Sequence, residues 1–275
     1  MAALKPEMRY EGIMANNKEE SKDKPLDRYV AVLEAVAPFP DGLSASDVEA
    51  VLQLPKTTVN RLLKTLLEVN LLGVSTTKSR NYVLGTRLLR LAHASTDSDW
   101  IVTTTQRILQ NLAEGTGQTC FIAKLAGLEI KSVSTEAPDT PVRTYVVPGK
   151  SMPPNATASG KAILAFQPDD VVRKVLQVPL ETYTASTKIH VEAVLADLAE
   201  VRQRGYSLDL AEHVDGLASI AAPIKTPGIG VMYAVGITGP YERIVGDSVF
   251  DSNVKQLLET ALKLQRAIQP IALLS

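Results

Sequence analysis

The sequence is poor in residues that staple or metallate a fold: among 275 residues there is one cysteine, Cys120, and there are three histidines. A lone cysteine excludes an intrachain disulfide and a cysteine-rich zinc site, and the scattered histidines supply no ligand spacing, which fits a reducing compartment. Net charge is missing too: Lys+Arg 29 against Asp+Glu 30 leaves −1, so no global basic field announces nucleic acid or an anionic membrane. No uninterrupted apolar run approaches the ~20 residues of a membrane helix, and even Ile220 to Gly239 is broken by Pro223, Lys225, Pro227 and several glycines. Residues 1–24 interleave Lys5, Arg9, Lys18, Lys22 and Lys24 with Glu7, Glu11, Glu19, Glu20 and Asp23, without the apolar core of a secretory signal. These absences predict a soluble cytoplasmic protein with no membrane contact.

What is present suffices for two domains, since 45% hydrophobic content over 275 residues can bury real cores. Residues 1–24 have too little apolar patterning to offset their ordering entropy and are expected to form a mobile arm. Beyond it, Tyr29, Val30, Val32, Leu33 and Val36 recur at helical spacing until Pro38, Pro40, Asp41 and Gly42 break the run. Ser44 or Ser46 can cap a second helix that carries Val48, Val51 and Leu52 and ends at Leu54-Pro55. A third, from Lys56 to Val69, sets Val59, Leu62, Leu63, Leu66 and Leu67 on one face. Leu71 to Val74 and Tyr82 to Gly85 read as a hairpin, so three short helices and a hairpin give the layout of a winged helix-turn-helix.

The domains expected are a winged helix-turn-helix over residues 25–85, a linker helix over 86–97 and a second domain over 98–275. In the second, helices are expected near Trp100 to Glu114, Thr157 to Phe166, Asp169 to Gln177, Val191 to Arg204 and Ser248 to Gln269. Strands are expected near Gln118 to Leu125, Glu129 to Ser134, Val142 to Val147, Leu217 to Pro223 and Gly230 to Thr238. Consecutive strands with helices clustered elsewhere indicate an α+β class with a central antiparallel sheet.

Charge is local. Pro25 to Ala50 carries about −4, whereas Lys56 to Arg90 carries about +6 through Lys56, Arg61, Lys64, Lys78, Arg80, Arg87 and Arg90 against Glu68 alone. A helix reads the major groove only if its outer face meets phosphates and base edges, and Thr57, Thr58, Asn60, Arg61 and Lys64 supply both kinds of contact. Lys78 and Arg80 at a hairpin tip suit a wing along the DNA backbone. Charge alone fits an ordinary solvated helix face equally well; the short Pro-Lys-Thr-Thr run before the helix favours DNA.

LPKTTVNRLLKTLLEVNLL (Leu54 to Leu72) and NYVLGTRLLRLA (Asn81 to Ala92) resemble the IclR family of bacterial transcription regulators. VPGKSMPPNATASGKAILA (Val147 to Ala165), RGYSLDLAEHVDGLASIAAPI (Arg204 to Ile224) and Gly236 to Pro240 resemble its effector-domain signatures. The resemblance implies a winged helix-turn-helix, a linker helix and a GAF-like domain that binds a small organic effector, in a homodimer or tetramer on palindromic operator DNA. It places DNA reading on Lys56, Thr57, Thr58, Asn60, Arg61 and Lys64, with Lys78 and Arg80 in the wing. It places the effector pocket at Thr144, Ala158, Ser159, Asp209, Leu217, Ser219, Gly236 and Thr238. The chain departs from the family where a double acid is usual, at Leu210-Ala211-Glu212, and carries Ser219 and Gly236 where relatives often have Cys and Ser.

Ser159, Ser219 and Thr238 offer hydroxyls to a ligand, although Thr157 and Ser159 serve equally as helix caps packed on a sheet. A buried Asp209 needs a partner, a proton or a ligand hydroxyl. Cys120 reads as a small buried hydrophobe. His190, Glu212 and His213 show no paired ligand spacing, so no metal and no cofactor are expected. Ser159-Gly160-Lys161-Ala162 imitates the end of a phosphate loop but lacks its upstream glycine, which is Asn155, and its final Ser/Thr. No nucleophile elbow occurs either. The reading is an effector-responsive DNA-binding regulator, a repressor released by a short hydroxy, oxo, semialdehyde or lactone-type acid. A small-molecule-processing enzyme with an N-terminal dimerisation module, and a regulator answering to a protein partner, are the alternatives.

Overall fold

The computed structural model describes residues 25–75, 77–78, 80–88, 91, 99–141, 143–177, 179–227 and 230–268. They divide between residues 95 and 96 into two compact units. The expected arm, most of the expected linker helix and Gln269 lie outside the described residues; of the linker, residues 86–88 and 91 are helical.

The first unit contains α1 (Pro25–Val36), β1 (Leu43–Ser44), α2 (Ala45–Leu52), α3 (Lys56–Glu68), β2 (Leu72–Val74) and β3 (Asn81–Leu84). Ser44 caps α2 in a reciprocal capping box with Asp47: the Asp47 amide donates to Ser44 Oγ at 3.2 Å and the Ser44 amide donates to Asp47 Oδ2 at 3.0 Å. Gln53 and Asn70 take left-handed backbone angles, φ 52° and 58°, and so turn the chain into and out of α3. Asn tolerates that region because its short polar side chain bonds locally. Val59, Leu62, Leu63 and Leu66 on α3 join Val32, Val36, Leu43, Val48 and Leu72 in one core.

The sheet has three strands, in the order β1-β3-β2. The two-residue β1 was not foreseen, being too short to show an alternation. It exists because Leu43 and Ser44 pair with Tyr82 and Asn81, and because Asn81 Nδ2 donates to the carbonyls of Asp41 and Gly42. Gly42 (φ 75°) is required there, since a Cβ would collide with the Tyr82 carbonyl.

The second unit contains α4 (Asp99–Thr116), β4 (Thr119–Ala126), β5 (Glu129–Glu136), α5 (Ala158–Leu164), α6 (Asp169–Val175), α7 (Val191–Arg204), β6 (Ser207–Leu210), β7 (Leu217–Thr226), β8 (Gly230–Pro240), α8 (Tyr241–Val245) and α9 (Phe250–Ile268). Its five-stranded sheet runs β5-β4-β8-β7-β6 and every pairing is antiparallel. Side chains alternate across a strand, so Phe121, Ala123 and Leu125 face α5 with Ala158, Ala162 and Ile163. Cys120 faces the other way, its sulfur 3.8 Å from Thr116 Oγ1 of α4, where α4 and α9 cover the sheet. Cover on both faces explains why β7 and β8 are buried almost end to end.

The expected strand at Val142 to Val147 is corrected: the described residues 143–147 form no strand. They run as a strap, whose Thr144 and Val146 carbonyls accept from the Thr119 and Thr135 hydroxyls, at 2.6 and 3.0 Å. Side-chain donors have replaced a ladder. β6 and α8 were also not foreseen, β6 because its Ser207-Leu208-Asp209-Leu210 alternation is only four residues long.

Replacing Ser44 by Ala removes the acceptor for the Asp47 amide. The expected loss is about 1 kcal/mol of the first unit's stability, read as a lowered urea midpoint at unchanged slope.

Candidate functional site

Two sets of residues carry chemistry, one in each unit. On α3 the apolar stripe points into the core, which leaves Lys56, Thr57, Asn60, Arg61 and Lys64 exposed and Thr58 half-buried. Thr58 and Val59 donate their amides to the Pro55 carbonyl, which starts the helix without a side-chain cap. Lys64 lies 3.9 Å from Glu68, both exposed, so this pair adds little and leaves the ammonium in solvent. Lys78 and Arg80 are exposed in the β2-β3 connection. Lys78 approaches Asp41 at 3.4 Å, an ion pair from the hairpin connection to the turn before β1 that the charge pattern does not announce.

In the second unit, register aligns a polar row. Asp209 of β6 pairs with Ser219 of β7, and Ser219 with Thr238 of β8. Paired residues share a face, so the three side chains stand together. They open on a cavity of about 250 Å³, floored by Phe121, Ala158 and Leu217, walled by the strap through Thr144 and Val146, and bordered by Ser132, Lys150 and His213. Tyr145, Val147 and Val214, all exposed, stand around it.

Six of the eight predicted pocket positions line this cavity: Thr144, Ala158, Asp209, Leu217, Ser219 and Thr238. Ser159 and Gly236 do not. Ser159 is fully buried in α5, its hydroxyl 3.5 Å from the Met152 sulfur. Gly236 lies beneath the ring of Phe121, where a Cβ would strike the ring. Its missing side chain is therefore a seat for the cavity floor, not an absent ligand contact.

Ser219 donates to Thr238 Oγ1 at 3.0 Å and Thr238 donates to the Ala218 carbonyl at 3.3 Å, which leaves the Ser219 oxygen as an acceptor. Asp209 Oδ1 accepts the amides of Glu212 and His213, at 2.8 and 3.3 Å. Burial pushes the Asp209 carboxyl up to about 6, with those amides and the Lys161 charge working against it. Burial likewise pushes His213 down, toward the neutral ring.

The most consequential residue missed by sequence reading is Lys161. It is buried in α5, with its ammonium 2.6 Å from Glu212 Oε1 and 3.0 Å from Asp197 Oδ2. Lys188 closes the cluster on Asp197 at 2.5 Å. Burial raises the Asp197 carboxyl, but hydrogen bonds from Lys188 and the charge of Lys161 outweigh it and hold the group below its usual range. Thr184 and Thr187 hydroxyls donate to the Glu212 carbonyl. The cluster clamps the turn after β6 and so fixes the amides that Asp209 accepts. The Ser-Gly-Lys-Ala string contained the signal, but it was weighed only as a phosphate loop. Cys120 is buried, which pushes its thiol up to about 12, a packing residue without thiolate chemistry. Among the described residues no cluster of three or more His, Cys, Asp or Glu could hold a metal, and no helix is long and apolar enough to cross a membrane.

A helix-turn-helix with a basic outer face and a wing, together with a sheet domain enclosing a small cavity, defines a DNA-binding regulator with a ligand-binding domain. The comparisons agree with this class. Residues 25–73 match the IclR helix-turn-helix domain and residues 93–266 match the bacterial transcriptional regulator IclR C-terminal domain. The chain is 32% identical over 242 residues to the HTH-type transcriptional regulator TtgV of Pseudomonas putida, covering 88% of this chain and 90% of that one. It is 30% identical over 223 residues to the probable transcriptional regulator SauR of Cupriavidus necator, covering 81% and 88%. A putative IclR transcriptional regulator from Silicibacter superposes with a TM-score of 0.60 at 26% identity, over 89% of this chain and 96% of that one. The chain belongs to the IclR family of bacterial transcriptional regulators; the matched families and relatives are regulators, not enzymes.

The raised Asp209 carboxyl has a defined sign. Its folded value of about 6 exceeds the ordinary 3.8, so the folded state holds the proton longer and stability falls as pH rises between those values. Asp209→Asn keeps an acceptor for the Glu212 amide and removes the titration. Urea unfolding at pH 4.5 and pH 7 is expected to show the wild type losing on the order of 2 kcal/mol of stability from this group across that interval, and the variant losing correspondingly less.

Proposed function

We propose that this protein is an effector-responsive repressor of a catabolic operon, released from its operator by a small organic acid, semialdehyde or lactone-type metabolite. Residues 25–85 form its DNA-binding domain, 86–97 a linker helix and 98–275 its effector domain. The observation that carries this reading is the row Asp209, Ser219 and Thr238 converging on one apolar-walled cavity. A few placed polar groups in an apolar hollow are the form of a small-ligand site, and about 250 Å³ suits a short organic acid better than a large aromatic.

Lys56, Thr57, Thr58, Asn60, Arg61 and Lys64 read the major groove, and Lys78 and Arg80 lie along the backbone beside it. A homodimer or tetramer presents paired α3 helices to a palindrome, as two-fold symmetric readers do. Release requires the effector to bind two arrangements with different affinity. A coupling of about 1–3 kcal/mol changes operator occupancy roughly 5–150-fold.

The test is binding of the full chain to duplex DNA from upstream of its own and neighbouring genes, titrated with salt and with a panel of small organic acids. Specific binding with a steep salt slope, abolished by one compound, is expected. Binding enhanced by the compound would make the protein an activator-type switch; turnover of the compound without specific DNA binding would restore the enzyme reading.

Two substitutions separate the units. Arg61→Ala is expected to weaken specific DNA binding about tenfold and to lower its salt slope, with circular dichroism unchanged. Ser219→Val is expected to weaken effector binding about tenfold while DNA affinity without effector stays the same. Wild-type values in either assay would remove that residue from its role.

A further inference from the structure

The polar row of Asp209, Ser219 and Thr238 occupies one end of the cavity. The other end, on β5, is also polar, and no residue there was expected to take part. Ser132 is 2% exposed and lines the cavity, and its hydroxyl has no hydrogen-bond partner among the described residues. Its backbone is fully used: the amide donates to the Lys150 carbonyl at 3.0 Å and the carbonyl accepts the Gly149 amide at 2.7 Å. Those two bonds pin the 149–150 turn on β5 beside Ser132. The same turn carries Lys150, an exposed cavity-lining residue whose ammonium is in no ion pair among the described residues. A buried hydroxyl without a partner is costly unless something fills the site, and a lysine on the turn pinned beside it, lining the same cavity, favours an anion there.

The sheet order β5-β4-β8-β7-β6 separates the two ends. Through Ala123 and Ala234, Ser132 on β5 lies opposite Pro223 on β7, and Ser219 stands four residues further along that strand, so the two ends are roughly 14 Å apart across the strands, at about 4.8 Å per strand, and about 13 Å apart along them. Phe121, on β4, lies between them over Gly236 and gives the middle an apolar floor. At the far end the Asp209 oxygen not engaged by the Glu212 and His213 amides and the Ser219 oxygen are acceptors, which call for a donor on the ligand.

We propose that Ser132 and Lys150 form the anion-binding end of this cavity, so that the ligand is a small carboxylate carrying a hydroxyl at its other end for Asp209 and Ser219. This rests on the effector reading above and deepens it: the acid group faces β5, and the hydroxyl faces β6 and β7. The carboxylate accepts from the Ser132 hydroxyl and meets the Lys150 ammonium, while the apolar spacer crosses Phe121.

The test is calorimetric titration of the full chain with 6-hydroxyhexanoate, hexanoate and 1,6-hexanediol. 6-Hydroxyhexanoate is expected to bind more tightly than either single-ended probe. Ser132→Ala and Lys150→Gln are each expected to weaken both carboxylates about tenfold, the range of one charge-assisted hydrogen bond, and to leave the diol unchanged. Lys150→Gln is also expected to flatten the salt dependence of carboxylate binding. Because Ser132→Ala deletes a hydroxyl that has no partner, the thermal midpoint of the ligand-free protein stays the same or rises, which keeps a binding loss from being read as misfolding.

Wild-type carboxylate affinity in both variants would overturn the assignment, as would a wild type that binds none of the probes or prefers the diol. An operator complex still released by some other compound in those cases would leave the regulator reading standing and remove only this one. Absence of specific DNA binding alongside the expected calorimetry would do the reverse.

Discussion

The ammonium of Lys161 holds the ligand end of the second unit together. It sits in the interior between Glu212, on the turn after β6, and Asp197, on α7, and Lys188 completes the charge balance from the loop before α7. Buried ion pairs rarely raise stability over an apolar substitute, but breaking one leaves a stranded charge that costs about 3–5 kcal/mol. The turn after β6 is therefore fixed in one place. Ala211 is held there at a left-handed φ of 56°, and Thr184 and Thr187 anchor the carbonyl of Glu212. The amides presented to Asp209 depend on that turn, and the protonation behaviour of Asp209 depends on those amides.

The same logic of small side chains and satisfied backbone shapes the cavity. α5 approaches the sheet closely because Ala158 and Ala162 face Ala221 and Ala234, and Ser207 of β6 ties the helix to the sheet through the carbonyls of Ala158 and Ala221. Gly236 lets Phe121 lie flat across β8, so the floor is aromatic although the chain has only four Phe. The strap at 143–147 closes the wall by accepting hydrogen bonds from threonines of β4 and β5, which keeps its carbonyls satisfied without a sixth strand. A hollow built this way has one polar row, one apolar floor and a second polar end.

Helices α1, α2 and α3 were legible because each carries a local signature: apolar residues at 3.6-residue spacing, the Ser44 and Asp47 box, and breaks at Pro40 and Pro55. β1, β6 and α8 were not, since two to five residues carry no period and form only where a partner surface receives them. A strand was expected at Val142 to Val147, but the described residues 143–147 are tied to the sheet by the hydroxyls of Thr119 and Thr135 and not by a backbone ladder, a contact that no local pattern announces. Ser159 and Gly236 matched the family pattern in position, yet packing turned one into the interior of α5 and set the other under an aromatic ring.

By itself the sequence determined the class of the protein: alternating charge along the first hundred residues, the apolar stripe of each helix and the order of the motifs are local properties that no folding partner can change. Which charged groups meet was decided only by the tertiary structure. Lys161, Asp197 and Glu212 are up to 51 positions apart, and Asp209, Ser219 and Thr238 come into one row solely through strand register. Pairing of residues distant in the chain is set by how sheets and helices bury their apolar faces, and that is a property of the whole fold.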